Sequence, residues 1–225
     1  MSNLTIYHGS SEIIKTPEYR KGTVYNDYGQ GFYCTEHIEL AKEWACTENT
    51  DGFVNKYEID ISSLNILNLS SEEYTILHWL ALLMNNRKVR LSTPIMKKGA
   101  QWLYENFLPD ITGYDVIIGY RADDSYFSFA RAFVNNEISL KQLSYAMRLG
   151  NLGEQFVLKS RKAFDCINFT SYKPADSTIY YTLRKARDEE ARNAFFAELE
   201  NDDADGIFMR DITREEIKPD DLRIR

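Results

Sequence analysis

The sequence predicts a single α+β domain over residues 1–225, with a split mixed or antiparallel β-sheet core and a helical insertion. Short strand-like segments occur near both ends of the chain, whereas apolar residues recur at helical spacing in the middle. The 225 residues are 44% hydrophobic, which is enough apolar material for one sizeable core.

Four elements are predicted in the first third of the chain. They are a strand at 4–7, a helix at 38–45 and strands at 53–61 and 65–69. The helix is predicted because Leu40, Ala41 and Trp44 are spaced to share one face. The third element alternates apolar and polar residues, which is typical of a half-buried strand.

Helices are predicted at about 70–110 and 123–149. Ser70 and Glu73 indicate a helix start, because serine caps helices and acidic residues suit the first turn. Pro94 is tolerated at the start of a second helix that continues to residue 107. A buried strand at 114–120 separates the two helical stretches. Asp123 is predicted to cap the next helix, with contact to an acceptor substrate as the alternative.

The last third is predicted to contain two strands and one long helix. The strands lie at 155–158 and 163–169, and the helix covers about 179–200. The helix carries many charges, which are most simply a solvated face.

Composition excludes several kinds of protein. The net charge of −7 disfavours a nonspecific nucleic-acid binder. The three cysteines are scattered and only three histidines are present, so we expect reduced thiols and no metal. The N-terminus lacks the pattern of a signal peptide, and the longest apolar run, near Trp79, is too short for a bilayer. We therefore expect a soluble cytoplasmic protein that makes no membrane contact.

Three segments carry the functional signal. They are Tyr7-His8-Gly9-Ser10 at the end of the first strand, Tyr28-Gly29-Gln30-Gly31-Phe32-Tyr33 before the first helix, and Leu152-Gly153-Glu154-Gln155 leading into a late strand. Glycines before an aromatic strand indicate a close approach of the backbone to another strand or to a ligand.

In this order, the segments resemble the signature motifs of the ADP-ribosyltransferase fold, in its diphtheria-toxin and poly(ADP-ribose) polymerase branch. That branch has a strand-end His-Gly, then Gly-x-Gly-aromatic-Tyr, then a glutamate that opens a later strand. The chain is also similar to a bacterial group in that clan with Tyr-His-Gly-Ser followed by Gly-x-Gly-Phe-Tyr-x-Thr. The resemblance covers the sheet framework and not the helical middle.

The resemblance implies an NAD site with assigned roles. His8 would bond the adenosine ribose, Gly9 would offer its backbone to the nicotinamide amide, and Ser10 would assist. Tyr33 would stack on nicotinamide and Trp44 would close that slot. Gly29 and Gly31 would let the backbone come close to the dinucleotide. Arg20, assigned from its charge alone, would pair with the pyrophosphate.

The third segment departs from the family pattern. Gln155 stands where the family has its catalytic glutamate, and a glutamine cannot act as a base. Glu154 is adjacent, but neighbours on a strand point to opposite faces, so only a bulge at Gly153 would re-aim it. Either Gln155 orients the ribose during mono-ADP-ribosyl transfer, or only NAD binding remains.

These observations support more than one function. The first is an NAD-dependent mono-ADP-ribosyltransferase, and the resemblance suggests a bacterial toxin of a toxin–antitoxin or defence system, acting in its own or another cell's cytosol. Its acceptor would be a macromolecule, protein before nucleic acid, and its inhibitor a cognate antitoxin. The alternatives are an NAD-binding pseudo-enzyme that acts through a protein partner and an NAD glycohydrolase.

Each site residue also has a purely structural interpretation: His8 and Tyr33 as packing residues, Trp44 as core, and the pair Glu154 and Gln155 as a polar strand end.

Overall fold

A computed structural model describes residues 3–122, 124–147, 153–200 and 203–224. It contains seven strands and eight α-helices in those ranges. The strands are β1 (Asn3–Ser10), β2 (Phe32–Cys34), β3 (Gly52–Asp60), β4 (Ile66–Asn68), β5 (Val116–Tyr120), β6 (Glu154–Leu158) and β7 (Ile167–Ala175). The helices are α1 (Ile38–Ala45), α2 (Ile76–Asn86), α3 (Pro94–Asn106), α4 (Asp124–Val134), α5 (Leu140–Ala146), α6 (Arg161–Asp165), α7 (Ser177–Leu199) and α8 (Met209–Arg214), and a short 3₁₀ helix covers Leu222–Ile224.

The strands form two sheets. One has the order β1-β3-β7 and is antiparallel throughout. The other has the order β2-β6-β5-β4, in which β4 and β5 are parallel and the remaining pairs are antiparallel. The predicted α+β class with antiparallel and mixed sheets is therefore confirmed.

The two sheets meet where β1 and β2 touch. The N–H and C=O of Tyr7 exchange hydrogen bonds of 2.8 and 2.9 Å with those of Thr35, directly after β2. A small core fills the space between the sheets; its buried members include Ile6, Cys34, Tyr57, Ile59, Val116, Phe156 and Leu158. The single bridge leaves the two strand edges free to diverge on either side of it.

The larger core covers the other face of the four-stranded sheet. It joins Ile117 and Val157 of the sheet to buried side chains of α2, α3, α4 and α5. Helix α2 contributes most, because nearly its whole surface is apolar and buried. The helical middle of the chain is thus packed onto the sheet that carries β2 and β6.

The start of the first middle helix was predicted wrongly. Residues 70–73 form turns, because the side chain of Asn68 accepts the Ser70 N–H at 2.9 Å and its carbonyl accepts the Ser71 hydroxyl. The helix begins at Ile76, after Thr75, whose N–H donates to His78 Nδ1 at 3.0 Å. Local bonds from serine and asparagine side chains compete with helix formation in this way.

The strand predicted at 163–169 begins later than expected. Ser160 accepts the Ala163 N–H at 3.1 Å and thereby caps the short helix α6. The strand β7 follows at Ile167 and extends to Ala175. Three sequence predictions fall on residues outside the described ranges. They are the helix cap at Asp123, the last two residues of the helix predicted to end at 149, and Leu152 of the third motif.

Candidate active site

The first two motifs are joined directly at the point where β1 and β2 separate. The ring of His8 donates from Nδ1 to the main-chain carbonyl of Tyr33 at 2.7 Å. The same ring stacks on Phe32, with 4.3 Å between ring centroids. Burial lowers the pKa of His8, although the bond to Tyr33 opposes this. The ring is therefore neutral near pH 7, and Nε2 remains an acceptor.

The hydrogen-bonding groups of Gly9 face the gap between the diverging strands. Hydrogen-bonded and non-bonded pairs alternate along an antiparallel ladder. Since Tyr7 bonds toward β2, Gly9 two residues later points its N–H and C=O to the same edge. The Tyr33 carbonyl opposite is held by the His8 ring. Gly9 thus offers one donor and one acceptor at this gap.

Packing explains why position 9 is a glycine. A Cβ there would collide with the carbonyl oxygen of Ala41 and lie 2.6 Å from the Ala45 nitrogen. Both atoms belong to the backbone of α1, which lies against β1. The close approach brings Trp44 of α1 to the site. The missing side chain thereby fixes the distance between the first motif and this helix.

The Tyr33 ring is held in place by the second motif itself. Its hydroxyl donates to the Gly29 carbonyl at 2.6 Å and accepts the Tyr28 N–H at 3.1 Å. Gly29 has φ +72°, a left-handed conformation that glycine adopts without strain. Lys159 also holds this segment, since its ammonium group donates to the carbonyls of Tyr28 and Gln30. Burial lowers the pKa of Lys159 to about 8.

A cleft of about 700 Å³ opens at this gap. It is lined by most of the predicted site residues: His8, Gly9, Ser10, Gly31, Tyr33, Trp44 and Gln155. Its volume lies within the range of about 300–1,000 Å³ that is usual for small-molecule sites. Segments that are far apart in the sequence therefore share one cavity.

Three predicted site residues lie away from the cleft lining. Arg20 has φ +65° in the loop before β2, and its carbonyl accepts the Gln30 side chain at 2.6 Å. Gly29 does not line the cleft, and its carbonyl accepts the Tyr33 hydroxyl. Glu154 is exposed and bonds the hydroxyl of Ser70. Strand alternation separates Glu154 from Gln155, which is buried and lies on the same sheet face as Tyr33.

Asp27 is a cleft residue that the sequence analysis missed. It is 3% exposed, and its Oδ1 accepts from Arg87 Nε at 2.7 Å. Its Oδ2 accepts the Ala122 N–H at 2.9 Å and the Gln155 side-chain amide at 3.4 Å. Burial raises the pKa of Asp27, and the Arg87 charge opposes this rise. The only available sequence signal was its place directly before the second motif.

Two further cleft residues are arginines that no motif indicated. Arg121 follows β5 and places its guanidinium 4.3 Å from the centre of the Trp44 ring. Arg184 comes from α7, which is held to α1 by a 2.5 Å ion pair between Arg187 and the buried Glu43. With Arg87, which is paired with Asp27, they bring three guanidinium groups to the cleft lining.

Residues 4–169 match the family described as Protein of unknown function (DUF3990). The chain belongs to this family. The matched range of this DUF3990 chain contains every predicted site residue, but not Arg184. No curated protein matches the sequence, and no solved structure does.

Two negative observations apply to the described part of the DUF3990 chain. Within the described ranges, no helix is both long enough and apolar enough to cross a membrane. The same ranges contain no cluster of three or more His, Cys, Asp or Glu side chains that could hold a metal ion.

Proposed function

We propose that this DUF3990 protein binds NAD in the cleft and transfers its ADP-ribosyl group to a macromolecular acceptor. One observation carries the proposal: His8, Gly9, Tyr33 and Gln155 come from three distant segments and line one cavity. These are the positions that the resemblance to ADP-ribosyltransferases assigns to NAD.

Gly9 and Tyr33 suit the nicotinamide end. A carboxamide has one acceptor oxygen and one donor nitrogen, and Gly9 turns one N–H and one C=O toward the gap. The Tyr33 ring lines the same cavity and is fixed at its hydroxyl. A rigid aromatic face beside paired backbone groups would orient the leaving group, and orientation lowers the activation barrier.

Gln155 and His8 suit the ribose hydroxyls. Gln155 Oε1 is buried without a hydrogen-bond partner among the described residues, and buried acceptors are normally satisfied. A ribose hydroxyl supplies the donor that this atom lacks. The neutral His8 ring keeps Nε2 as an acceptor, which suits a hydroxyl of the adenosine ribose.

Arg121 and Arg184 suit the diphosphate. They line the cleft that Arg20, the residue first chosen for this role, does not reach. Guanidinium groups bind phosphate oxygens through paired N–H donors. The two arginines are assigned here to the phosphates of NAD, with Trp44 supporting Arg121.

The reaction then follows from the chemistry of NAD. The bond between the ribose carbon and the nicotinamide nitrogen breaks, and the electron pair leaves with nicotinamide. The ribose carbon passes through an oxocarbenium-like state and is attacked by the acceptor, whose proton goes to solvent. A protein acceptor agrees better than a nucleic acid with the net charge of −7. A toxin role with a cognate antitoxin is the biological setting that the resemblance suggests.

Labelled NAD tests the proposal. The protein is incubated with NAD carrying the label in its adenylate half, together with bacterial lysate, and both nicotinamide release and macromolecular label are measured. Label on a macromolecule supports transfer. Nicotinamide release without label identifies a glycohydrolase, and NAD binding without either product identifies a binding protein. Absence of binding and of both products overturns the proposal.

A further inference from the structure

Gln155 and Asp27 are hydrogen-bonded neighbours in the lining of the cleft. On β6, Gln155 stands opposite Gly119 of β5 and is 6% exposed. Its Nε2 donates to Asp27 Oδ2 at 3.4 Å, while its Oε1 has no partner among the described residues. One end of this amide is therefore anchored on Asp27, and the other end is buried and unsatisfied, in a residue that lines the cleft.

Asp27 determines which end of the amide is anchored. If the amide were reversed, Oε1 would face the Asp27 carboxylate, and two acceptors would lie against each other. The ion pair with Arg87 at 2.7 Å favours the charged carboxylate, so the reversed orientation is disfavoured. Asp27 thus holds Gln155 with Nε2 on the carboxylate and leaves Oε1 without a partner among the described residues.

Asp27 itself is fully engaged by protein groups. Its two oxygens accept from Arg87, from the Ala122 N–H and from Gln155. A carboxylate with these partners is poorly placed to take a proton from an acceptor. Because its oxygens are occupied by protein donors, we expect Asp27 to act on a ligand through Gln155, whose amide it orients and polarises.

We propose that Asp27 and Gln155 together take the place of the glutamate found in the ADP-ribosyltransferases that the motifs resemble, with Gln155 Oε1 as the atom that binds the ribose hydroxyl and Asp27 as its positioning residue. This inference rests on the proposed function. Charge and contact are divided between two side chains: Asp27 supplies the negative charge, and Gln155 supplies the acceptor. Neither residue exchanges a proton during the transfer. Such preorganised groups act most strongly where charge develops in the transition state.

An exchange of the two side-chain types tests the division. Asp27→Asn removes the charge and Gln155→Glu places two carboxylates together, so each single variant should lower kcat for nicotinamide release by about 100-fold. The double variant keeps one carboxylate, one amide and a hydrogen bond between them. We expect it to recover at least about tenfold of kcat over either single variant.

A second pair of variants separates positioning from folding. Gln155→Met removes the amide without adding charge, and Asp27→Asn should then lower kcat no further, because Asp27 acts through Gln155. Asp115→Asn is the control: it alters another buried carboxylate, which bonds Ser160 and the Asn65 N–H away from the cleft. This control should lower the melting temperature and leave kcat unchanged.

The outcomes distinguish this inference from the proposed function. An active wild-type protein whose Asp27→Asn variant keeps kcat overturns the division alone. The division is also overturned if the losses of kcat are additive, so that the exchanged double variant is slower than both single variants. A wild-type protein that neither binds NAD nor releases nicotinamide overturns both proposals. KM for NAD should change less than kcat in Asp27→Asn, since the effect is expected in the transition state.

Discussion

The His8 ring takes the Tyr33 carbonyl that a continued β1–β2 ladder would have paired with Gly9. The bond from Nδ1 to the carbonyl oxygen is 2.7 Å long, and it forms one residue beyond the last strand pair at Tyr7. The side chain thus satisfies the backbone of β2 while the strands diverge. This relationship creates the gap in which Gly9 presents its own N–H and C=O.

Replacing His8 should weaken NAD binding and change the pH dependence of stability. In the folded protein burial lowers the pKa of His8 below 6.5, so the unfolded chain takes up this proton first as the pH falls. The stability that the neutral His8 ring contributes is therefore complete above about pH 6.5 and is lost as the pH falls below that value. His8→Asn should therefore lose less free energy of unfolding between about pH 7.5 and pH 5.5 than the wild type.

Urea denaturation at both pH values measures this difference, with His37→Asn as the control. His37 is exposed and does not line the cleft. If His8→Asn and wild type show the same pH slope, the buried neutral state assigned to His8 is wrong.

The two parts of the Tyr33 side chain should have separable effects. Tyr33→Phe leaves the Tyr28 N–H and the Gly29 carbonyl without their partner, which should lower the free energy of unfolding by about 1–3 kcal/mol. The ring remains, so NAD binding should persist. Tyr33→Ala should abolish NAD binding as well. Calorimetric titration and thermal melting check the pair, and equal NAD affinity in both variants would refute the stacking role.

Gly9→Ala should displace α1 from β1. The added methyl collides with the Ala41 carbonyl, and overpacking of this kind costs about 1–3 kcal/mol. Gly113→Ala is the matched control, because it has φ +88° and nothing within 4 Å of the added carbon. Both variants should melt earlier than wild type, but only Gly9→Ala should lose NAD affinity. Unchanged affinity in Gly9→Ala would contradict the account of the gap.

Arg121 and Arg184 should control the affinity for the diphosphate. Arg121→Ala and Arg184→Ala should each weaken NAD binding by about tenfold, equivalent to about 1.4 kcal/mol, and the loss should shrink at high salt. Lys185→Ala removes the same charge from an exposed neighbour on α7 and should leave binding intact. Titrations with NAD and ADP-ribose measure the effect. Equal losses at Lys185 and Arg184 would indicate a general charge effect and no phosphate site.

Local patterns in the sequence predicted much of the sheet framework and the motif residues that line the cleft. His8, Gly9 and Tyr33 lie in short segments whose strand context is visible from a few neighbours. The alternation of strand residues also separated Glu154 from Gln155. It could not decide which of them faces the cleft, because that depends on their partners Tyr120 and Gly119 in β5.

The polar network behind the site could not be predicted in this way. Asp27 bonds residues 60 and 128 positions away, and it is one of 34 acidic residues in the chain. The charge of Arg20 and its place between the first two motifs predict a phosphate contact, whereas tertiary folding brings Arg121 and Arg184 to the cleft instead. Long-range packing decides such contacts, and no local pattern records them.

Calorimetric titration of the protein with NAD is the decisive measurement for the cleft. We expect saturable binding at one site per chain in the wild type, its loss in His8→Ala, and its retention in His37→Ala. An absence of binding to the wild type, or equal binding by His8→Ala, would contradict the assignment of this cleft to NAD.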